Sequence, residues 1–167
     1  RTLLDLGTGS GCVAVTLALE APALHVAAVD RSTTALARAA ENARSLGAPV
    51  RFVVGDACGP FKDGAFDAIV TNPPYVGDTD PLPRDVAEWE PHEALFAGPD
   101  GLAFYRRLAL EASRVLRPGG WLLAEVGDGQ AQDVLSLFRA ATWREGSAER
   151  DLSGIERVVV VRAPEPP

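Results

Sequence analysis

The sequence predicts a single α/β domain built on a doubly wound, mostly parallel sheet of seven strands. Short apolar runs alternate with helical patterns, which is the rhythm of a parallel sheet. The last two apolar runs instead follow each other as a hairpin. Right-handed crossovers place the parallel strands in one sheet, with the antiparallel hairpin at one edge. At 167 residues and 47% hydrophobic content, the chain can bury one sizeable core.

Each element follows from a local pattern. Apolar runs predict strands at residues 3–6, 26–30, 50–54, 66–71, 121–126, 143–149 and 155–162, and helices at 12–19, 34–46, 102–116 and 130–141. The second helix is the best defined, because Ser32 suits its N-cap and Gly47 its C-cap. A turn is predicted at 117–120. Residues 72–100 carry six prolines and little periodicity, which indicates a functional loop beside the active site.

Composition excludes several classes of protein. A net charge of −7 gives no basic field for a large duplex DNA footprint. Cys12 and Cys58 lie far apart, so neither a disulfide framework nor a zinc site is indicated, and a reducing cytoplasm is expected. No apolar stretch predicts a membrane span. The chain contains no Met and opens on a strand-like run, so we expect an excised or truncated domain.

The first strand leads into a glycine-rich loop, Asp5-Leu6-Gly7-Thr8-Gly9-Ser10-Gly11, which opens a helix. Glycines at such a turn let the backbone approach a ligand closely at the carboxyl end of the sheet. Cys12 stands where the dinucleotide fingerprint needs its third glycine, so pyrophosphate binding is disfavoured. The structural alternative is a tight turn without a ligand.

Acidic residues follow the next two strands. Asp30 ends the second strand, where a carboxylate can accept hydrogen bonds from both ribose hydroxyls of an adenosyl group. An NAD site uses a similar acid, so Asp30 alone leaves the cofactor open. Asp56 follows the third strand and can reach an adenine amino group, although both acids could instead cap helices or turns. Together with the glycine loop, they predict S-adenosylmethionine as the cofactor.

The fourth strand ends in Asn72-Pro73-Pro74-Tyr75. A planar NH2 group has two donors, which the Asn72 side-chain oxygen and the Pro73 carbonyl can accept while aiming the nitrogen at a methyl carbon. Tyr75 can stack on the flat group. Amide nitrogen is a poor nucleophile, and accepting its protons raises its electron density in the transition state. We predict methyl transfer to a planar amide or amine nitrogen without a metal; a plain turn with a core Tyr75 is the alternative.

Further motifs extend along the whole chain. They are Asp5 to Cys12, Asn72 to Tyr75, Glu90-Pro91 with Glu93-Ala94-Leu95, Asp100-Gly101-Leu102, Glu125-Val126-Gly127 with Gln130, and Asp151-x-x-Gly154-x-x-Arg157. In this combination the chain resembles the protein-(glutamine-N5) methyltransferases that modify peptide chain release factors within their Gly-Gly-Gln loop. The later motifs are much more specific than Asn-Pro-Pro-Tyr.

The resemblance implies a Rossmann-like class I methyltransferase that moves a methyl group from S-adenosylmethionine, leaving S-adenosylhomocysteine, to the glutamine side-chain nitrogen of a release factor. It implies cofactor contacts at Gly7, Thr8, Gly9, Ser10, Gly11, Asp30, Asp56, Ala57 and Asn72, and a substrate site at Asn72, Pro73, Pro74 and Tyr75. The family's amino-terminal helical domain is absent from residues 1–167, and Trp89 replaces its usual tyrosine. We expect a cytoplasmic monomer that binds neither duplex nucleic acid nor membranes.

Two alternatives stay open. Methyltransferases acting on adenine N6 or guanine N2 also carry Asn-Pro-Pro-Tyr, since these exocyclic amines present the same planar donors after base flipping. The acidic balance and the Glu90-Pro91 motif argue against them. A non-catalytic cofactor-binding domain would be expected to lose the residues that cradle the nitrogen, and these are complete here.

Other conspicuous residues have ordinary explanations. Four arginines at helical spacing are expected on a solvated helix face, with contact to an RNA or ribosomal partner as the alternative: Arg106, Arg107, Arg114 and Arg117. We assign no chemistry to His25 and His92. Trp121 and Trp143 are expected to fill the core or its rim. Glu125, an acid on a buried strand, can order the Asn72 loop.

Overall fold

The computed structural model describes residues 1–82 and 91–165. Its strands are β1 Thr2–Leu6, β2 His25–Asp30, β3 Val50–Val54, β4 Phe66–Thr71, β5 Leu116–Glu125, β6 Arg144–Arg150 and β7 Glu156–Arg162. Its helices are α1 Cys12–Glu20, α2 Thr33–Leu46, α3 His92–Leu95, α4 Ala103–Val115 and α5 Ala131–Ala140. Trp89 and Glu90, which the sequence analysis singled out, lie outside the described residues.

The strands form one seven-stranded sheet in the order β3-β2-β1-β4-β5-β7-β6. The first five strands in this order pair in parallel, and β7 pairs antiparallel with both β5 and β6. The predicted doubly wound sheet with an antiparallel carboxyl-terminal hairpin is therefore confirmed. The strand order reverses between β1 and β4, which is where open α/β sheets bind ligands at their carboxyl edge.

Both faces of the sheet are packed because successive side chains on a strand point to opposite sides. Leu4 and Leu6 of β1 join a large cluster with Tyr105 of α4 and Phe138 of α5, all of them buried. Leu3 lies on the other face in a smaller cluster with residues of α1. This packing anchors β1 and the loop that follows it between two layers of helices.

The caps predicted for α2 are present. The Ser32 hydroxyl oxygen accepts a hydrogen bond from the Ala35 amide at 3.1 Å, and Gly47 ends the helix with a left-handed φ of 69°. Both ends of the helix thus satisfy backbone groups that would otherwise lack partners.

Two regions differ from the sequence prediction. The expected turn at 117–120 lies inside β5, which already pairs with β4 at Leu116 and pairs again at Trp121 after a register shift. The extra residues of β5 bulge, so the strand continues through a Pro-Gly-Gly sequence that would otherwise stop it. The proline-rich segment also contains α3 and a bridge between Val76 and Phe96.

The two tryptophans occupy the predicted positions. Trp143 is buried, and its indole N–H donates to the Ala109 carbonyl at 2.9 Å. Trp121 lies at the rim with Arg162 over its ring. Among the helices of residues 1–82 and 91–165, none is long and apolar enough to cross a membrane.

Candidate active site

A cavity of about 940 Å³ opens at the carboxyl ends of β1, β2, β3 and β4. Its volume suits a cofactor-sized ligand. It brings together the predicted site residues Gly7, Gly9, Ser10, Asp30, Asp56, Ala57, Asn72, Pro73 and Pro74. Thr8, Gly11 and Tyr75 are close in the chain but do not belong to its lining.

The glycines of the loop serve two different purposes. Gly7 and Gly9 adopt φ angles of 72° and 55°, and a Cβ added to either would meet open space. Their backbone is therefore bare toward the cavity, where a ligand can approach it. Gly11 also has a positive φ of 81°, but its Cβ would lie 2.9 Å from that of Ala39. Gly11 thus permits close packing of α1 on α2.

Asp5 stabilises the glycine loop through buried hydrogen bonds. It is only 2% exposed, and its Oδ2 accepts hydrogen bonds from the Thr8 hydroxyl at 2.7 Å and the Ala14 amide at 3.0 Å. Burial raises the pKa of this carboxyl above its usual range. Thr8 therefore faces inward, and its expected cofactor contact stays a prediction. Asp5 is not among the predicted site residues, although an acid inside an apolar strand is a signal that the sequence offers.

Asp30 is already oriented by two backbone amides. Gly9 N donates to its Oδ2 at 2.9 Å, and Ser32 N donates to its Oδ1 at 2.8 Å. A carboxylate offers about four lone-pair sites, so each oxygen keeps one for a ligand. The arrangement couples the end of β2 to the glycine loop and presents two acceptors side by side.

Asp56 is held by a guanidinium that the sequence analysis assigned to the surface. Arg107 of α4 pairs with both carboxylate oxygens of Asp56 at 2.9 Å and with Glu111 at 2.9 Å. Its hydrogen bond holds the pKa of Asp56 below the usual range. The expectation of a solvated helix face is therefore wrong for Arg107, which also lines the cavity.

Ala57 follows with a backbone conformation that is uncommon for a residue with a side chain. Its φ is 46°, in the left-handed region, and it is buried at the cavity wall. Such strain is of order 1 kcal/mol or more and concentrates at functional sites. The turn after β3 is thus held in an unfavourable conformation beside the cavity.

The Asn72 carboxamide lies at the cavity and is available to a ligand. The residue is exposed, lines the cavity and has no hydrogen-bond partner among the described residues. The preceding Thr71 is buried and donates its hydroxyl to the Leu6 carbonyl at 2.8 Å, which ties the end of β4 to β1. Pro73 and Pro74 follow in the cavity wall and limit the backbone freedom of Asn72.

Tyr75 is anchored through its main chain. Its carbonyl oxygen accepts a hydrogen bond from Gln130 Nε2 at 2.9 Å, and Gln130 Oε1 accepts from Gly127 N at 3.0 Å. The stacking expected of Tyr75 stays a prediction. The Glu125 side chain makes no hydrogen bond among the residues that the structure describes, so it is Gln130 that tethers this loop.

The last motif organises the β6–β7 turn. Asp151 Oδ1 accepts the amides of Ser153 at 2.8 Å and Ile155 at 3.0 Å. Arg157 donates to the Val126 carbonyl at 3.2 Å and lies 3.7 Å from Asp151. The hairpin is thereby attached to the end of β5, next to the Gly127 turn.

The sheet order, the glycine loop and the acids at successive strand ends define a class I methyltransferase fold. The chain belongs to the methyltransferase small domain family, whose model matches residues 1–86.

Curated relatives agree with the resemblance noted in the sequence. The release factor glutamine methyltransferase of Geobacter sulfurreducens is 44% identical over 159 residues, covering 94% of this chain and 56% of the relative. That of Koribacter versatilis is 46% identical over 165 residues, covering 97% of this chain and 58% of the relative. The predicted resemblance is confirmed, while the chain spans somewhat more than half the length of these relatives.

Solved structures show the same architecture. A methyltransferase from Pyrococcus furiosus superposes with a TM-score of 0.72 at 18% identity, covering 98% of this chain and 75% of its own. TrmN from Thermus thermophilus superposes with a TM-score of 0.65 at 24% identity, covering 97% of this chain and 43% of its own. At these identities the likeness concerns the fold alone.

Proposed function

We propose that this chain transfers a methyl group from S-adenosylmethionine to the side-chain amide nitrogen, N5, of the glutamine in the Gly-Gly-Gln motif of a peptide chain release factor. The observation that carries the proposal is the Asn72 carboxamide, which lies in the cavity wall and has no hydrogen-bond partner among residues 1–82 and 91–165. The curated relatives, which are named for this activity, support the choice of substrate.

The cavity fits the proposed cofactor. Gly7 and Gly9 leave open space beside their backbone, and Asp30 retains one acceptor site on each carboxylate oxygen for the ribose hydroxyls. Ala57 and the Asp56–Arg107 pair lie in the adjoining wall, where an adenine ring would be held. When bound, S-adenosylmethionine supplies an electrophilic methyl group on a positively charged sulfur.

The chain's own contribution is to bind and aim the nitrogen. The Asn72 side-chain oxygen and the Pro73 carbonyl accept the two N–H hydrogens of the glutamine amide, which fixes the plane of that amide. These acceptors favour the increase in positive charge on nitrogen as the new N–C bond forms. One N–H proton becomes acidic only at that stage and passes to water, so no side-chain base is needed before attack.

Labelled methyl transfer tests the proposal. The wild-type chain should label a release factor, and should not label one whose Gly-Gly-Gln glutamine is replaced by alanine. Asn72→Ala should lower turnover on the order of 100-fold through lost positioning. Thr79→Ala, an exposed change a few residues along the same segment, serves as the matched control.

Three results would overturn the proposal. They are the absence of labelling of release factor by wild type, labelling of the alanine-substituted factor, and near-normal turnover of Asn72→Ala. Labelling of adenine-containing nucleic acid but not of release factor would favour the alternative base substrate. The single-domain organisation, the monomeric state and the cytoplasmic location expected from the sequence belong to this proposal and are not needed for the test.

A further inference from the structure

Gln130 makes the only side-chain hydrogen bonds that join the turn after β5 to the segment after β4 among the residues that the structure describes. It is the N-cap residue of α5, and its half-buried side chain uses both ends of the amide. The oxygen accepts from Gly127 N at 3.0 Å, and the nitrogen donates to the Tyr75 carbonyl at 2.9 Å across 55 residues of sequence. The turn after β5 is thereby fastened to the segment that follows β4.

The surroundings of this contact leave little room for movement. A Cβ on Gly127 would lie 2.8 Å from Gln130 Oε1 and 3.2 Å from Tyr75 Cδ2. A Cβ on Gly101, which has a φ of 70°, would overlap the Tyr75 carbonyl and lie 2.8 Å from Gln130 Nε2. Gly101 therefore leaves space for the main chain of Tyr75, and Gly127 leaves space for its side chain.

The chain beyond Tyr75 is held from its other side. Val76 N donates to the Leu95 carbonyl at 2.9 Å, and Ala97 N donates to the Val76 carbonyl at 2.9 Å. Asn72, by contrast, has no partner of its own among the described residues. Its direction therefore depends on β4 before it and on the anchored Tyr75 after it, with two prolines between.

We infer that Gln130 is a positioning residue for methyl transfer, because its hydrogen bond to the Tyr75 carbonyl sets the direction of the Asn72 and Pro73 acceptors. This inference rests on the proposed function. Gln130 itself touches neither the cavity nor the reacting nitrogen. Its loss should therefore reduce turnover more than it weakens cofactor binding.

Two variants distinguish the contributions of the oxygen and the nitrogen of the Gln130 side-chain amide. Gln130→Glu keeps an acceptor for Gly127 N but places a carboxylate oxygen against the Tyr75 carbonyl. Gln130→Ala removes both bonds. Gln132→Ala, on the exposed side of the same helix, is the matched control. We expect kcat to fall on the order of 10- to 100-fold in both Gln130 variants, with the cofactor KM changed less than threefold.

A pH profile distinguishes positioning from general loosening of the structure. Protonation of the Gln130→Glu side chain restores a donor to the Tyr75 carbonyl, so its kcat relative to wild type should recover as pH falls from 8 to 5. Gln130→Ala should show no such recovery. A rise in cofactor KM equal to the fall in kcat, or parallel pH profiles for the two variants, would overturn the inference.

Amide hydrogen exchange tests the anchoring by Gln130 without any substrate. Exchange at Val76 and Ala97 should be faster in both Gln130 variants than in wild type or Gln132→Ala. If wild type transfers no methyl group to release factor, the proposed function fails, and the exchange comparison still decides whether Gln130 anchors the segment that follows Asn72. Unchanged exchange in both variants would refute it.

Discussion

Replacement of Asp30 by alanine should abolish recognition of the ribose hydroxyls. Each carboxylate oxygen of Asp30 accepts one backbone amide, from Gly9 or Ser32, and keeps one lone-pair site that a ligand can use. Two hydroxyl hydrogen bonds to a charged acceptor contribute about 1.5 kcal/mol each at the low end of the usual range, which suits a half-buried group. Their sum, about 3 kcal/mol, corresponds to an affinity loss on the order of 100-fold.

The assay is calorimetry with S-adenosylhomocysteine and with an analogue that lacks both ribose hydroxyls. Wild type should bind the analogue on the order of 100-fold more weakly than S-adenosylhomocysteine. Asp30→Ala should bind the two ligands equally. Asp133→Ala, an exposed acid on α5, should behave as wild type.

Comparing the two ligands separates the loss of the hydroxyl contacts from a general loss of order in the glycine loop. Asp30→Ala also removes the acceptor of the Gly9 amide, which weakens binding of both ligands to the same extent. Only the ratio of the two affinities reports the hydroxyl contacts. The reasoning is refuted if wild type fails to discriminate between the ligands, or if a folded Asp30→Ala protein still does.

Further variants test other contacts. Arg107→Ala should raise the pKa of Asp56, because Arg107 pairs with its carboxylate. It should weaken cofactor binding by up to about fivefold, which corresponds to about 1 kcal/mol for one exposed ion pair; unchanged calorimetric affinity would contradict this. Gly101→Ala should destabilise the chain by about 2 kcal/mol more than Gly129→Ala in denaturant unfolding, because both have positive φ but only Gly101 meets a backbone carbonyl. A backbone N–H of β1 holds the pKa of Asp67 at about 2, below its ordinary 3.8, so its stabilisation is present above pH 3.8 and is lost as pH falls toward 2. Asp67→Asn should therefore lower the free energy of unfolding on the order of 1 kcal/mol at pH 7 and hardly at all near pH 2; equal effects at both would refute the assignment.

Local sequence was sufficient for most of the fold. The strands at 50–54 and 66–71 begin and end where their apolar runs predict. The α2 caps are read from Ser32 and Gly47, whose partners lie within a few residues. Such signals depend on backbone conformation and on residues nearby in the chain, so they can be recognised in the sequence before the tertiary arrangement is known. The cavity residues on strand ends were predictable for a related reason, since parallel strands end at the same edge of the sheet.

The contacts that shape the site were decided by the tertiary structure. Asp56 meets Arg107 across 51 residues of sequence, and Gln130 meets Tyr75 across 55. Each pair exists only because the strand order and the packing of α4 and α5 bring distant turns together. The periodicity and spacing of the sequence therefore do not predict either pair. The same dependence brings the Gly9 amide to Asp30 and leaves Asn72 without a hydrogen-bond partner among the residues that the structure describes. A side-chain hydrogen bond requires its donor and acceptor to lie within about 3 Å, and for residues far apart in the chain only the folded arrangement sets that distance.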